Sequence, residues 1–355
     1  MVTRDNSGGK LPIFSPRQAR RSATIESAMP RVLILFTGGT IGMRYDPAVG
    51  AAVPALGARE LLEHDPALQQ LADLEVLEYG QFPGPHMTLE RMWEVSEILR
   101  RELVREDIAG AVVTHGTDTL EETAYLLDLR HTSPKPVAIV GAMRTVNEPG
   151  FDGPANLSAA IRTVLSPQAR GQGVFVVLNQ MIHAASEATK TDTHQLETFQ
   201  SPVFGPLGLV DVDRVIFGRR LIDRVVIDAP RLEPRVDLVT MCAGADGRFI
   251  DFARESGARG IVVEGTGRGN VTPHAVPAIQ RAIDAGLPVV IATRCAHGRV
   301  LDIYGYEGSG HDLRQRGVLF AGTLNAAKAR IRLAVILGKT SSPAEIRALM
   351  ECGAY

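Results

Sequence analysis

Residues 31–36 run apolar almost without a break and stop at a pair of glycines, which predicts a buried strand ending in a sharp turn. Residues 109–114, 136–140 and 173–179 read the same way. Between these runs lie stretches with helical spacing, at 58–64, 88–104, 118–129 and 153–165. In the second of them Met92, Val95, Leu99 and Leu103 recur on one face. Strands alternating with helices predict a parallel sheet covered on both sides.

The alternation breaks at 205–236, where Pro206, Pro230 and Pro234 stand among short apolar runs and charged residues. A hairpin followed by an interdomain linker is expected there. A second set of elements follows, with strands at 237–241, 259–263 and 287–292 and helices near 248–256, 273–285, 323–337 and 343–351. The expected fold is therefore α/β, a large N-terminal parallel-sheet domain plus a smaller C-terminal α/β domain. The boundaries drawn are a disordered or loosely docked tail at 1–29, an N-terminal domain at 30–210, a hairpin and linker at 211–236, and a C-terminal domain at 237–355.

Composition changes this picture little. With 355 residues, 45% hydrophobic and 22% charged, the chain has the length for two domains and the make-up of a globular protein. A formal net charge of −2 gives no reason to expect nucleic acid or an anionic membrane as partner. No apolar run approaches the roughly 18–20 residues that span a bilayer. Cys242, Cys295 and Cys352 are too widely spaced for a zinc ribbon or a redox pair, so buried reduced thiols are expected. The first thirty residues are polar and basic with no apolar core of a secretory signal, and a cytoplasmic location is expected.

Three polar clusters stand out. In Thr37-Gly38-Gly39-Thr40-Ile41-Gly42 the glycines allow a sharp turn and a close approach to a ligand. The segment fits neither the dinucleotide nor the P-loop pattern, and no cofactor or metal is expected. A purely structural loop is the plain alternative. In Thr114-His115-Gly116-Thr117-Asp118-Thr119 three hydroxyls and an acid sit between a strand and a helix. There the alternative is a helix cap at Thr117 or Asp118, with Glu121 completing a capping box. Lys190, between Thr189 and Thr191, reads on its own as a surface lysine. Thr40, Thr117 and Asn270 all follow predicted strands, the edge at which open α/β sheets bind ligands.

Taken together the clusters resemble the bacterial-type L-asparaginase (asparaginase/glutaminase) family. The matching segments are residues 37–42, 113–119 with 121–125, 140–144, 152–157, 189–191, 205–208, and 321–325 with 328–330, in the family's order. The resemblance implies an amidohydrolase cleaving the side-chain amide of L-asparagine, with L-glutamine as a further substrate. It implies homo-oligomers, dimers or tetramers built from dimers, with sites completed by a neighbouring subunit. By position Thr40 matches the nucleophile and Thr117 the second threonine. Asp118 matches the acid that pairs with the substrate's amino group, and Lys190 the lysine bonded to the second threonine. Gly39, Gly84, His86, Gly116 and Ala142 fall on the substrate side, and Asn270 and Glu307 match residues supplied across the dimer.

The residue types suit amide hydrolysis. A positioned hydroxyl attacks, backbone N–H groups of the glycine turn hold the oxyanion, and an ester to Thr40 is then hydrolysed. A lysine acts as a base near neutral pH only if it releases its proton about three units below its ordinary value. A neighbouring carboxylate opposes that. Lys190 is therefore expected to stay charged, orienting Thr117 and relaying a proton.

The sequence departs from the family in two places. The tyrosine expected on a mobile loop ten or more residues after the nucleophile is missing from residues 47–54, and Tyr45 is the nearest substitute. A serine expected near residues 82–88 is absent, with Gly84 near its place and His86 two residues on. Two other readings remain. One is a glutamine-preferring or broader amidase, or an ammonia-producing component of a transamidosome, against which only thirty polar residues precede the first strand. The other is a catalytically weak amino-acid-binding protein on the same fold.

Overall fold

The computed structural model describes residues 29–353, and most of the segment expected as an N-terminal tail lies outside the described residues. The chain opens with β1 (Arg31–Phe36) and a 3-10 turn at Thr40–Gly42. A hairpin follows, β2 (Met43–Asp46) and β3 (Ala51–Pro54), then α1 (Ala58–Glu63) and β4 (Asp73–Glu78). Next come α2 (Leu89–Glu102), β5 (Ile108–Thr114), α3 (Leu120–Arg130), β6 (Val137–Val140), α4 (Gly153–Leu165) and β7 (Val174–Leu178). β8 (Met181–Ala184) turns back antiparallel, and β9 (Thr189–Lys190) and β10 (Phe199–Gln200) form a small separate ladder. The hairpin β11 (Gly208–Val210) and β12 (Val215–Phe217) completes an eight-stranded, mostly parallel sheet of order β12-β11-β8-β7-β6-β5-β1-β4.

A smaller unit follows an irregular stretch. It contains β13 (Val236–Thr240), α5 (Arg248–Glu255), β14 (Gly260–Gly265), α6 (Val276–Asp284), β15 (Val289–Thr293), α7 (Gly310–Gln315) and β16 (Leu319–Phe320). Its four strands are parallel in the order β13-β14-β15-β16. α8 (Ala326–Lys339) and α9 (Pro343–Glu351) close the chain.

The central strands are apolar on both faces because both are covered, as parallel sheets require. Leu33, Leu35, Ala111, Val113, Val137 and Ile139 face one core with residues of α2 and α3. Val32, Ile34, Phe36, Val112, Ala138 and Val140 face the other, under α4. The first core continues into the smaller unit through Ile331, Leu333 and Val335 of α8, which also meet Val262 and Val290. α8 thus lies between the two sheets, packed on α3 and on β13 and β14.

Apolar continuity does not reveal β4, an edge strand in which Asp73, Glu75 and Glu78 alternate with half-buried Leu and Val. It also passes over the short β8, β16 and α7. The thiols correct one expectation. Cys242, Cys295 and Cys352 are all free and exposed, set in loops and a helix end rather than in either core. Among the described residues no helix is long and apolar enough to cross a membrane.

Candidate active site

β1 and β5 are neighbours in the sheet, paired in parallel from Val32 opposite Gly110 to Phe36 opposite Thr114. From β1 the chain leaves toward β4 on one side; from β5 it leaves toward β6 on the other. The carboxyl ends of β1 and β5 therefore flank a topological switch point, where open α/β sheets leave a crevice for ligands. Thr40 follows the first of these ends and Thr117 the second.

The two loops are locked at their base. Thr37 Oγ1 donates to the Thr114 carbonyl at 2.6 Å, and Thr37 N–H donates to Thr114 Oγ1 at 3.2 Å. Above this pair the loops touch through glycines. Gly39 has φ 90° and ψ −179°, a conformation that disfavours any side chain. A Cβ on Gly39 would lie under 3.0 Å from the backbone of His115 and Gly116. A Cβ on Gly116 would strike Gly84, and one on Gly141 would come within 2.7 Å of the His115 carbonyl. Four loops thus meet along one seam of bare backbone.

Hydrogen bonds hold the seam. Gly39 N–H donates to the Phe82 carbonyl at 3.1 Å, and Phe82 N–H donates to the Thr37 carbonyl at 2.8 Å. Gly39 N–H is therefore engaged within the protein, so this donor of the glycine turn, expected to be open to an oxyanion, is already taken. Thr40 itself is half-buried at the start of that turn, with Ile41 and Gly42 buried beneath it.

His115 is fully buried and shapes the second loop. Its Nδ1 lies 2.7 Å from the Gly116 carbonyl, which only accepts, so Nδ1 carries the proton. Nε2 then accepts from Thr123 Oγ1 at 2.8 Å. Burial pushes its pKa down to about 4, so the ring is neutral near pH 7.

Thr117 is buried, and its Oγ1 accepts from Lys190 Nζ at 2.9 Å. The same ammonium donates to Asp118 Oδ1 at 2.7 Å. The Lys190 side chain is 16% exposed and that of Asp118 59%, so one charge lies inside and the other at the mouth. The capping alternative fails. α3 starts at Leu120, and its cap, Thr119, makes no side-chain capping bond. Thr119 Oγ1 donates instead to the Gly84 carbonyl at 2.7 Å, joining the second loop to the third. Glu121 turns away to Asn325.

Gly84 packs on this loop, its Cβ position 3.2 Å from Asp118 N, while His86 is exposed in the turn Gly84–His86. Ala142 is buried at the end of β6. Its loop is ordered by Asp152, which accepts from Met143 N–H and Arg144 N–H, and by Asn156, whose amide donates to the Gly141 carbonyl at 3.0 Å. Neither residue is singled out by type alone; their positions in 152–157 are the signal.

Tyr45 lies on β2, cross-strand from Ala52, with half its surface exposed. The hairpin is tied down by Tyr45 N–H donating to Asn147 Oδ1 at 3.0 Å and Val146 N–H to the Met43 carbonyl at 3.0 Å. Asn270 closes the tight loop after β14, its backbone bridged to Thr266 and its Oδ1 accepting from Gly310 N–H at 3.2 Å. Glu307 is exposed in the loop before α7, beside the stacked rings of Tyr304 and Tyr306. Thr117, Asp118, Lys190, Gly39, Gly84 and Gly116 are therefore brought together, while Asn270 and Glu307 stand on loops of the smaller unit. Among the described residues no cluster of His, Cys, Asp and Glu has the form of a metal site.

Residues 31–223 match the family described as Asparaginase, N-terminal, and residues 235–350 match the Glutaminase/Asparaginase C-terminal domain. An L-asparaginase of Bacillus licheniformis is 37% identical over 307 residues, 86% of this chain and 95% of the relative. A probable periplasmic L-asparaginase of Haemophilus influenzae is 32% identical over 331 residues, covering 91% and 93%. A component of the glutamyl-tRNA(Gln) amidotransferase of Methanosarcina mazei is 31% identical over 352 residues, covering 94% of this chain and 80% of that one.

Proposed function

The chain belongs to the asparaginase family and is a hydrolase of amide C–N bonds, and from that premise we propose that it converts L-asparagine to L-aspartate and ammonia through an ester to Thr40. The observation that carries this reading is Lys190 Nζ bonded at once to Thr117 Oγ1 and Asp118 Oδ1, on the loop that abuts Gly39. Thr40 Oγ1 attacks the side-chain amide carbon, the C–N bond breaks, and the hydroxyl proton leaves on the departing ammonia. Water, held for its turn by Thr117, then attacks the ester carbon; the C–O bond to Thr40 breaks, L-aspartate leaves, and a proton from the water restores the Thr40 hydroxyl. The charged Lys190 fixes the Thr117 hydroxyl and steadies the negative charge that develops. Asp118, at the mouth, receives the substrate's α-ammonium group, and Gly84, Gly116 and His86 receive its carboxylate. Ala142 lies along the amide.

Since Gly39 N–H is held by Phe82, the Thr40 N–H is assigned to the oxyanion. Tyr45 is the aromatic hydroxyl offered by the hairpin beside Thr40 and is assigned to closing the site. Asn270 and Glu307 are assigned to the site of a neighbouring copy, in a homo-oligomer. Three exposed thiols without a disulfide favour a reducing compartment, the cytoplasm. The match to the Glutaminase/Asparaginase C-terminal domain favours a second substrate, L-glutamine.

Ammonia release measured across L-asparagine, D-asparagine and L-glutamine decides among these readings. L-asparagine is expected to be cleaved fastest, and Thr40→Ala to lower turnover on the order of 10³-fold or more. Greater turnover of L-glutamine would favour the second reading. Tight asparagine binding with no ammonia would leave only a binding protein.

A further inference from the structure

Lys190 reaches the site from β9, a strand of two residues paired, among the described residues, only with β10. Such a short ladder gives a side chain little fixity by itself. The segment is held from behind by α8 of the smaller unit. Lys328 Nζ donates to the Ala188 carbonyl, and Asn325 Nδ2 lies 3.4 Å from Thr189 Oγ1. The same Asn325 amide donates to Glu121 Oε2 at 3.1 Å, and Lys328 Nζ lies 3.4 Å from that oxygen. Glu121 belongs to the first turn of α3, three residues beyond Asp118.

One pair of residues at the start of α8 therefore grips both segments that carry the Lys190–Thr117–Asp118 cluster. Stability alone is a poor reason for such a grip. The Lys328 side chain is 2% exposed. Burial pushes its pKa down against the pull of Glu121. Apolar residues of similar size often replace buried ion pairs without loss of stability. What apolar packing lacks is direction: an ammonium and an amide aim bonds at a chosen carbonyl, hydroxyl and carboxylate.

We propose that Asn325 and Lys328 are positioning residues that set the catalytic geometry of Lys190 against Thr117 from the C-terminal domain. The proposal rests on the reading of Lys190 and Thr117 given above.

Asn325 allows the grip to be separated from helix capping. Its Oδ1 accepts from Lys328 N–H at 2.9 Å and caps α8. Serine caps as well as asparagine, but its hydroxyl is too short to span Thr189 and Glu121. Asn325→Ser is expected to leave the thermal midpoint near that of the wild type. It is expected to lower kcat for L-asparagine about tenfold or more, as ångström-scale misplacement does, with KM changed much less. A paired Glu121→Gln, Lys328→Met variant removes the charges together and is expected to show the same split. Lys328→Arg, which restores a donor to Ala188, is expected to recover part of kcat. Crystal structures of the variants read the geometry directly, with Lys190 Nζ drawn out of bonding distance of Thr117 Oγ1. That readout tells the two failures apart: a wild type that releases no ammonia sinks the asparaginase reading, whereas an unmoved Lys190–Thr117 bond in the variants sinks the positioning role. Variants that fold, keep the Lys190–Thr117 bond and turn over like the wild type would overturn the proposal.

Discussion

Lys190 Nζ lies 2.9 Å from Thr117 Oγ1 and 2.7 Å from Asp118 Oδ1, so one ammonium joins a buried hydroxyl to an exposed carboxylate. Methionine at 190 keeps the volume and loses every donor. Lys190→Met is expected to cut kcat about 10²- to 10⁴-fold, the usual worth of a proton-handling group. Steady-state ammonia release measures it, and unchanged turnover would remove Lys190 from the mechanism.

Asp118 is expected to act on binding more than on chemistry. Loss of a hydrogen bond to a charged group removes about 1.5–3 kcal/mol, so Asp118→Asn should raise KM for L-asparagine about 10- to 100-fold. The discriminating measurement compares L-asparagine with a substrate lacking the α-amino group. If both are affected alike, the carboxylate does not read that group.

The seam predicts a sharp contrast between two glycines. Gly39 has φ 90° and its missing Cβ would strike the backbone of the second loop, whereas Gly50 has φ 69° with nothing near its Cβ position. Gly39→Ala combines backbone strain with overpacking and should lose about 2–5 kcal/mol of stability together with activity. Gly50→Ala bears the strain alone, about 1 kcal/mol. Denaturant unfolding of the two variants tests this, and equal losses would refute the close approach.

Much of this was legible from the chain. The strands β1, β5, β6 and β7 announce themselves because both faces are buried, so nearly every residue in them is apolar. Thr40, Thr117 and Lys190 emerge only when their three segments are taken together, since each has an ordinary structural explanation alone. The grip of Lys328 was not legible. A lysine in the first turn of a helix reads as solvated, and only the packing of α8 between two sheets buries it. The exposed cysteines escaped for the opposite reason: residue type favours burial, and their loops overrule it.

The buried imidazoles predict acid lability. Burial holds the pKa of His115, His131 and His183 at about 4, below the ordinary 6.5. As pH falls from 6.5 toward 4 the unfolded chain takes up these protons and the folded chain does not, so stability falls. Asp128 works the other way. Burial raises its pKa to about 6 from 3.8, so between those values the folded state is protonated first and stability rises as pH falls. Glu122, also raised by burial, adds to Asp128, but the three imidazoles outweigh the two carboxyls and leave a net uptake of protons on unfolding near pH 5. Urea midpoints should therefore drop from about pH 7 to about pH 5, and a flat profile would contradict the neutral buried histidines.

The seam also bears on when activity emerges during folding. Thr37 meets Thr114 across 77 residues of chain, Lys190 meets Thr117 across 73, and Lys328 meets Ala188 across 140. None of these contacts is local, and long-range contacts form slowly because the intervening chain must first be ordered. Helices, whose contacts are local, need no such ordering. Regain of turnover is then a late event, trailing the return of secondary structure and keeping pace with the docking of the second sheet against the first.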